Sequence, residues 1–281
     1  MQKDSSPPER QDPRLDDALG GKFSSWSSYS AFARRIHSDR RYVWSEEVTA
    51  FLGTVLATAS QRESLIRKGS IFYRAQKGVD YDQSDLVEEP VAYRPGRMKP
   101  LPNRASEGRA NPAGIPVLYM ATKIETAVAE TRPWIGAEIS LGTFRAVRDL
   151  KLISMVQERP TPSVGMLRIS DILGDTHPSD ETILAAVWAD IDQAFSRPVS
   201  REDSGAAEYA PTQILTELFK DAGYDGIAYN SNFGGGHNVA LFDITSADIV
   251  SCAPYRVASV GIQVEQFGNA WYSKRNNPTS S

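Results

Sequence analysis

The 281 residues carry a formal net charge of −4, which argues against general affinity for nucleic acid or acidic membranes. Hydrophobic residues at 41% and charged residues at 23% are enough to build an ordinary buried core, and no run of about 18 uncharged apolar residues points to a membrane span. One cysteine, Cys252, excludes an internal disulfide framework and a thiolate-rich metal cluster. The three histidines, His37, His177 and His237, lack the i, i+4 spacing of a zincin helix. The chain reads as cytoplasmic and metal-free.

Residues 1–22, with Ser5-Ser6-Pro7-Pro8 and Gly20-Gly21, read as a disordered leader. Residues 23–69 read as a helical N-terminal extension. Within it Ser45 caps a helix opened by Glu46 and Glu47, and Val48, Phe51, Leu52, Val55 and Leu56 form its apolar stripe. Ile71–Arg74 reads as a strand. The stretch from there to Ile115 holds Pro90, Pro95, Pro100, Pro102 and Pro112, which predicts an irregular loop. Pro116–Met120 reads as a strand, and Thr122 and Glu125 as a capping box for a helix ended by Pro133. A further strand is expected within Val147–Val156, then an irregular insert at 157–181. Helices follow from Ser179, with Ile183, Val187, Ile191 and Phe195 stacked at i+4, and from Pro211, closed by Gly223. Two strands, Gly226–Asn230 and Asn238–Asp243, flank a glycine turn at 234–236 that is expected to need positive φ. The residues from 261 on read as a tail. Strands mix with helices without βαβ alternation, so the fold class is α+β, with mixed or antiparallel sheets and flanking helices.

Neither a dinucleotide-binding nor a P-loop glycine pattern is present. Asp80, Asp82 and Asp85 lack the glycine and closing glutamate of a calcium loop. Between residues 94 and 109, Arg94, Arg97, Lys99, Arg104 and Arg109 stand against one acid, Glu107. Five cations so close in an acidic chain suggest an anion site, although on charge alone a solvated loop is the better reading. Glu130 lies at the edge of the apolar stripe of Ile124, Ala127 and Val128.

The run Gly108–Ala121 followed by Glu125–Glu130 resembles the core of the RES domain family. Phe72-Tyr73-Arg74-Ala75 is similar to that family's opening strand, and Tyr209-x-Pro211-Thr212-Gln213 to the entry of a later helix. Gly223–Ser231 resembles its serine-bearing segment, and Gly235–Phe242 its closing hairpin. The blocks come in the family's order over residues 70–243, within a catalytic domain placed at 70–260.

The resemblance implies a fold like that of mono-ADP-ribosyltransferases and an activity that consumes NAD. Its members are typically toxins of toxin–antitoxin pairs. Several split NAD by phosphorolysis into nicotinamide and ADP-ribose 1″-phosphate, and an antitoxin with a helix-turn-helix domain covers the site. Carried onto this sequence, Arg74, Arg109 and Glu130 are the catalytic set, and Tyr119, Tyr229, Ser231 and Asn238 bind substrate. NAD is then a substrate, inorganic phosphate a co-substrate, and no cofactor is implied. Hydrolysis of NAD, ADP-ribosylation of a protein, and a binding module that has kept the fold are the alternatives.

The residue types suit this chemistry on their own terms. Cleavage of the nicotinamide–ribose bond develops positive charge on the ribose, which a carboxylate stabilises. Guanidinium groups grip pyrophosphate or phosphate. Tyr119 offers a ring to stack on nicotinamide, and Ser231 a hydroxyl to bond the nicotinamide amide or its ribose. The leaving group departs neutral, so no general acid is needed.

Overall fold

A computed structural model describes residues 21–82, 88–156, 178–197 and 207–261, with 264, 266 and 268. The fold is α+β, built on one mixed sheet. Its strands are β1 (Glu63–Ile66), β2 (Ile71–Lys77), β5 (Leu118–Ala121), β6 (Glu138–Ala146), β7 (Leu150–Ser154), β8 (Gly226–Asn230), β9 (His237–Leu241) and β10 (Ala247–Arg256). They run in the order β1-β7-β8-β9-β5-β2-β6-β10. Only β7 and β8 are parallel. A parallel pair needs a crossover, and α5 (Asp180–Ser196) and α6 (Ala210–Asp221) supply it.

Both crossover helices pack on one face of the sheet, beside α1 (Ser28–Ser38) and α2 (Glu46–Ala59). Leu52, Val55, Trp188, Phe195 and Phe219 from the helices meet Ile153, Ile227 and Ala240 from the strands. Burying each large side chain contributes about 1.5–3 kcal/mol. The N-terminal block therefore shares the main core. Phe32 stacks on Phe51 at 4.6 Å, and the Trp188 indole N–H donates to the Thr58 hydroxyl at 3.2 Å, joining α5 to α2. The same block supplies β1, a strand absent from its helical pattern. The opposite face packs Phe72, Leu118, Met120, Phe144, Leu152 and Val239.

The caps follow sequence chemistry at three helices. Ser45 Oγ accepts from Val48 N, and Ser179 Oγ from Thr182 N. Gly223, at φ +82°, closes α6: Tyr224 N reaches Phe219 O and Gly223 N reaches Lys220 O, the paired bonds of a left-handed C-terminal stop.

Three expectations fail for physical reasons. The proline-rich stretch is not wholly irregular, since it holds β3 (Asp80–Asp82), β4 (Glu89–Val91) and α3 (Pro95–Met98). Pro90 lies in a two-stranded edge pair and Pro95 at a first helical turn, both places where a missing N–H costs nothing. Thr122 does not cap α4 (Ile124–Glu130); the N-cap is Lys123, without a side-chain bond. The Thr122 hydroxyl accepts from His237 N on β9 instead. Gly234, Gly235 and Gly236 have no positive φ; close approach to α4 demands two of them, as described below. Residues 1–20 of the leader, residues 157–177 of the insert and nearly all of the tail lie outside the described residues. Among those described, no helix is long and apolar enough to cross a membrane.

Candidate active site

The site is assembled where α4 meets the β8–β9 connection. α4 has seven residues and buries Thr126 and Ala127 against the sheet. The glycine loop lies directly on it. A Cβ on Gly236 would stand 2.6 Å from the Thr126 hydroxyl, and one on Gly234 2.8 Å from it. Gly236 N donates to that same hydroxyl at 3.1 Å. Glycine is required here because the backbones must nearly touch.

The β9 register then sets Asn238 opposite Tyr229 on one side and Ala121 on the other. Glu130, the last residue of α4, turns toward this row. Its Oε1 accepts from Ser231 Oγ at 2.8 Å and from Asn238 Nδ2 at 2.6 Å. Ser231 Oγ in turn accepts from Phe233 N at 3.1 Å, so its one proton is committed to the carboxylate. Both bonds end on Oε1. Immediately beyond, Arg132 holds a left-handed φ of 48°, an uncommon conformation for a residue with a side chain, and its guanidinium lies 5.1 Å from the Phe233 ring.

Two tyrosines stand on the strands that flank β9, Tyr119 on β5 and Tyr229 on β8. Tyr229 is buried against Phe195. Burial pushes its hydroxyl far above the usual range, and the adjacent Glu130 carboxylate adds to this while Arg109 opposes it. Burial likewise raises Tyr119. The Tyr119 hydroxyl is fully engaged: it donates to Asn111 Oδ1 at 2.7 Å and accepts from Ala110 N at 2.8 Å. Asn111 is buried and its amide donates to the carbonyls of Ser106, Pro112 and Ile115. From α6, the Gln213 amide donates to Gly108 O, Asn111 O and Glu107 Oε1. Asn111 and Gln213 thus shape the loop that carries Arg109. Sequence reading gave them no role, although both sit in the family-like blocks.

The arginines differ from ordinary surface cations. Arg74 donates to Tyr119 O at 2.7 Å, in the gap left where β2 and β5 pair only at Tyr73 and Ala121. Burial lowers its pKa. Arg109 donates to Arg197 O at 3.0 Å and lies beside the Tyr229 hydroxyl. The Nε of each is buried without a hydrogen-bond partner, and among the described residues neither meets a carboxylate at ion-pair distance. A buried donor left unmade costs about 1–3 kcal/mol, which an arriving anion would recover.

The seven residues singled out from sequence therefore fall in one region of the sheet. Hydrogen bonds join Arg74 to Tyr119 and join Ser231 and Asn238 to Glu130. Strand pairing sets Tyr229 opposite Asn238, and Tyr119, Arg109 and Glu130 lie within electrostatic reach of Tyr229. The basic loop is not gathered in the same way. Arg97 pairs with Asp80 and stacks on Tyr93, and Lys99 pairs with Asp248. Among the described residues, no cluster of three or more His, Cys, Asp or Glu could hold a metal ion.

No curated protein matches the chain. A distant structural likeness extends to a chain in the crystal structure of the M. tuberculosis MbcT–MbcA toxin–antitoxin complex. Identity is 13%, coverage is 72% of this chain and 92% of that one, and the TM-score is 0.36. The family model for the RES domain matches residues 71–262, more than half of the 281 residues and all seven of these residues, from Arg74 to Asn238. On that match, the protein belongs to the RES domain family.

Proposed function

We propose that the protein degrades NAD by breaking the nicotinamide–ribose bond, with phosphorolysis as the leading form of the reaction. The observation that carries this reading is the Glu130 carboxylate, oriented through Oε1 by Ser231 and Asn238, in a site that also holds two arginines with unpartnered Nε groups, Arg109 sharing Tyr229 with Glu130 and Arg74 bonded to Tyr119.

The bond's electron pair goes to the pyridinium nitrogen, which leaves as neutral nicotinamide. The ribose carbon left behind approaches an oxocarbenium ion. Glu130 stabilises that charge, held in place before the reaction so that little reorganisation is needed. A phosphate oxygen then forms the new bond, giving ADP-ribose 1″-phosphate; water in its place gives ADP-ribose. Arg74 and Arg109 neutralise the pyrophosphate or the attacking phosphate through N–H groups that lack protein acceptors. Ser231 and Asn238 orient Glu130 and bond the nicotinamide-side ribose. Tyr229 walls the pocket, and Tyr119 places the Arg109 loop.

As part of the same proposal, the protein is a toxin of a toxin–antitoxin pair, acting in the cytoplasm and covered when inactive by a partner with a helix-turn-helix domain; family membership supports the toxin–antitoxin part of this reading. Protein ADP-ribosylation is the second reading, because the same bond breaks and only the nucleophile differs.

Incubation with NAD, with and without phosphate, followed by mass analysis of the products, tests the proposal. ADP-ribose phosphate supports phosphorolysis, free ADP-ribose supports hydrolysis, and a labelled protein supports transfer. Intact NAD overturns the reading. Activity should survive excess EDTA; loss restored by magnesium would overturn the arginine-based site.

A further inference from the structure

Ser231 stands between two asparagines, and both are tied to α5. The Asp192 carboxylate accepts from Asn230 N at 3.1 Å through one oxygen and from Asn230 Nδ2 at 2.9 Å through the other. One residue past the serine, Asn232 Nδ2 donates to Ser196 O at 3.1 Å. Arg109 ends on the next carbonyl, Arg197 O. The last turn of a helix has carbonyls with no partner inside the helix, and here two of them receive groups from the site. α5 is packed hard into the core through Trp188, Ile191 and Phe195, so it is a rigid support.

Asp192 is an unusual residue for such a support. It is half-buried, and burial raises its carboxyl pKa, opposed by the two Asn230 N–H groups, His237 and Arg62. A carboxylate in that setting costs desolvation energy, which its bonds to Asn230 must offset. A neutral residue would pack there at lower cost. What the carboxylate gives instead is two acceptors at fixed spacing, which pin both the backbone and the side chain of the residue before Ser231.

We infer that Asp192 is a positioning residue. It fixes Asn230 so that Ser231 Oγ meets Glu130 Oε1, and through that contact sets the carboxylate for NAD cleavage. This rests on the NAD-degrading reading for its kinetic consequence but not for its structural one.

The test uses the full chain with Asp192→Ala, Asp192→Asn, Asn230→Ala and the Ala/Ala double variant. Asp192→Ala removes both acceptors. Asp192→Asn keeps one acceptor for Asn230 N, and rotation of the Asn230 amide restores the second bond, so it should rescue. In Asp192→Ala, kcat for NAD loss should fall on the order of tenfold to a hundredfold, the range expected when a catalytic group shifts by about 1 Å. KM and the melting temperature should change little. Asn230→Ala should lose a similar factor, and the double variant no more than either single one. Parental kcat in Asp192→Ala overturns the inference, as does a double variant whose loss is the product of the two. Crystal structures of parent and Asp192→Ala decide the matter without any assay. Separation of Ser231 Oγ from Glu130 in the variant supports the inference; an unchanged contact overturns it. If the parent leaves NAD intact, the proposed function falls while this structural comparison still stands.

Discussion

The cations at the two ends of the basic stretch have the same chemistry and opposite surroundings. At residues 97 and 99, Arg97 and Lys99 face solvent-exposed acids, Asp80 at 3.4 Å and Asp248 at 2.8 Å. At residue 109, and likewise at Arg74 on β2, the guanidinium ends on neutral backbone carbonyls, Arg197 O and Tyr119 O, and its Nε is buried without a partner. A cation already matched by a carboxylate has little left to offer an anion. One desolvated among neutral acceptors keeps its full charge, and that charge is stronger in a lower dielectric. Counting positive residues along the chain cannot make this distinction; the identity of each partner does.

The strongest test of the unpaired end is its acid. Glu130→Gln keeps an acceptor for Ser231 and Asn238, so the fold should persist while NAD turnover falls on the order of a hundredfold or more, through loss of a preorganised charge. Purified variant that consumes NAD at the parental rate would make Glu130 a structural residue. Next in size is Arg109→Ala, which should raise the KM for NAD or for phosphate. Losing a charge-assisted contact costs roughly 1.5–3 kcal/mol, about ten- to a hundredfold. Unchanged KM for both would return Arg109 to the solvated class.

The same contrast explains what could be read from sequence. Helix stripes, caps and short apolar strands were legible because they depend on local spacing, as at α2, α5 and α6. The two longest strands, β6 and β10, were not. β6 interrupts its pattern with Gly142, which lies where a Cβ would press on Met98, Ile249 and Phe144 at 3.1 Å. β10 carries Pro254 and exposed residues along a sheet edge. Their identity as strands comes from partners distant in sequence. Site residues were legible only as motif-borne types. That Tyr119 spends its hydroxyl on Asn111 and Ala110, and that Asp192 pins Asn230, are facts of three-dimensional pairing.

An acid with no ion-pair partner among the described residues sharpens the comparison from the other sign. Asp190, on α5, is half-buried, and burial pushes its carboxyl up to about 6. Between about pH 4 and 6 the folded state holds a proton that the unfolded chain, at its ordinary carboxylate pKa, has released. Stability therefore falls as pH rises through that window, and the whole cost is present above it. Asp190→Asn should then stabilise the protein at pH 7.5 by on the order of 1 kcal/mol, after discounting for solvent exposure, or about 2–4 °C in Tm. At pH 4 the two proteins should melt closer together. Equal gains at both pH values would show that packing, not charge, is responsible.

The smallest effect belongs to the paired end, and it is the one most able to break the comparison. Arg97 and Asp80 are both more than 45% exposed, so their ion pair is worth about 0–1 kcal/mol and is screened by salt. The guanidinium also lies 3.5 Å from the centre of the Tyr93 ring, and an exposed cation–π contact adds about 0.5–1 kcal/mol. Arg97→Ala should therefore lower stability by about 1 kcal/mol in urea titration, with part of that loss vanishing at high salt. Its KM for NAD and for phosphate should match the parent. If Arg97→Ala raised either KM as far as Arg109→Ala does, a surface acid partner would not be enough to withdraw an arginine from anion binding. The basic stretch would then act as one site from residue 94 to residue 109, and the division drawn from Asp80 and Asp248 would be wrong.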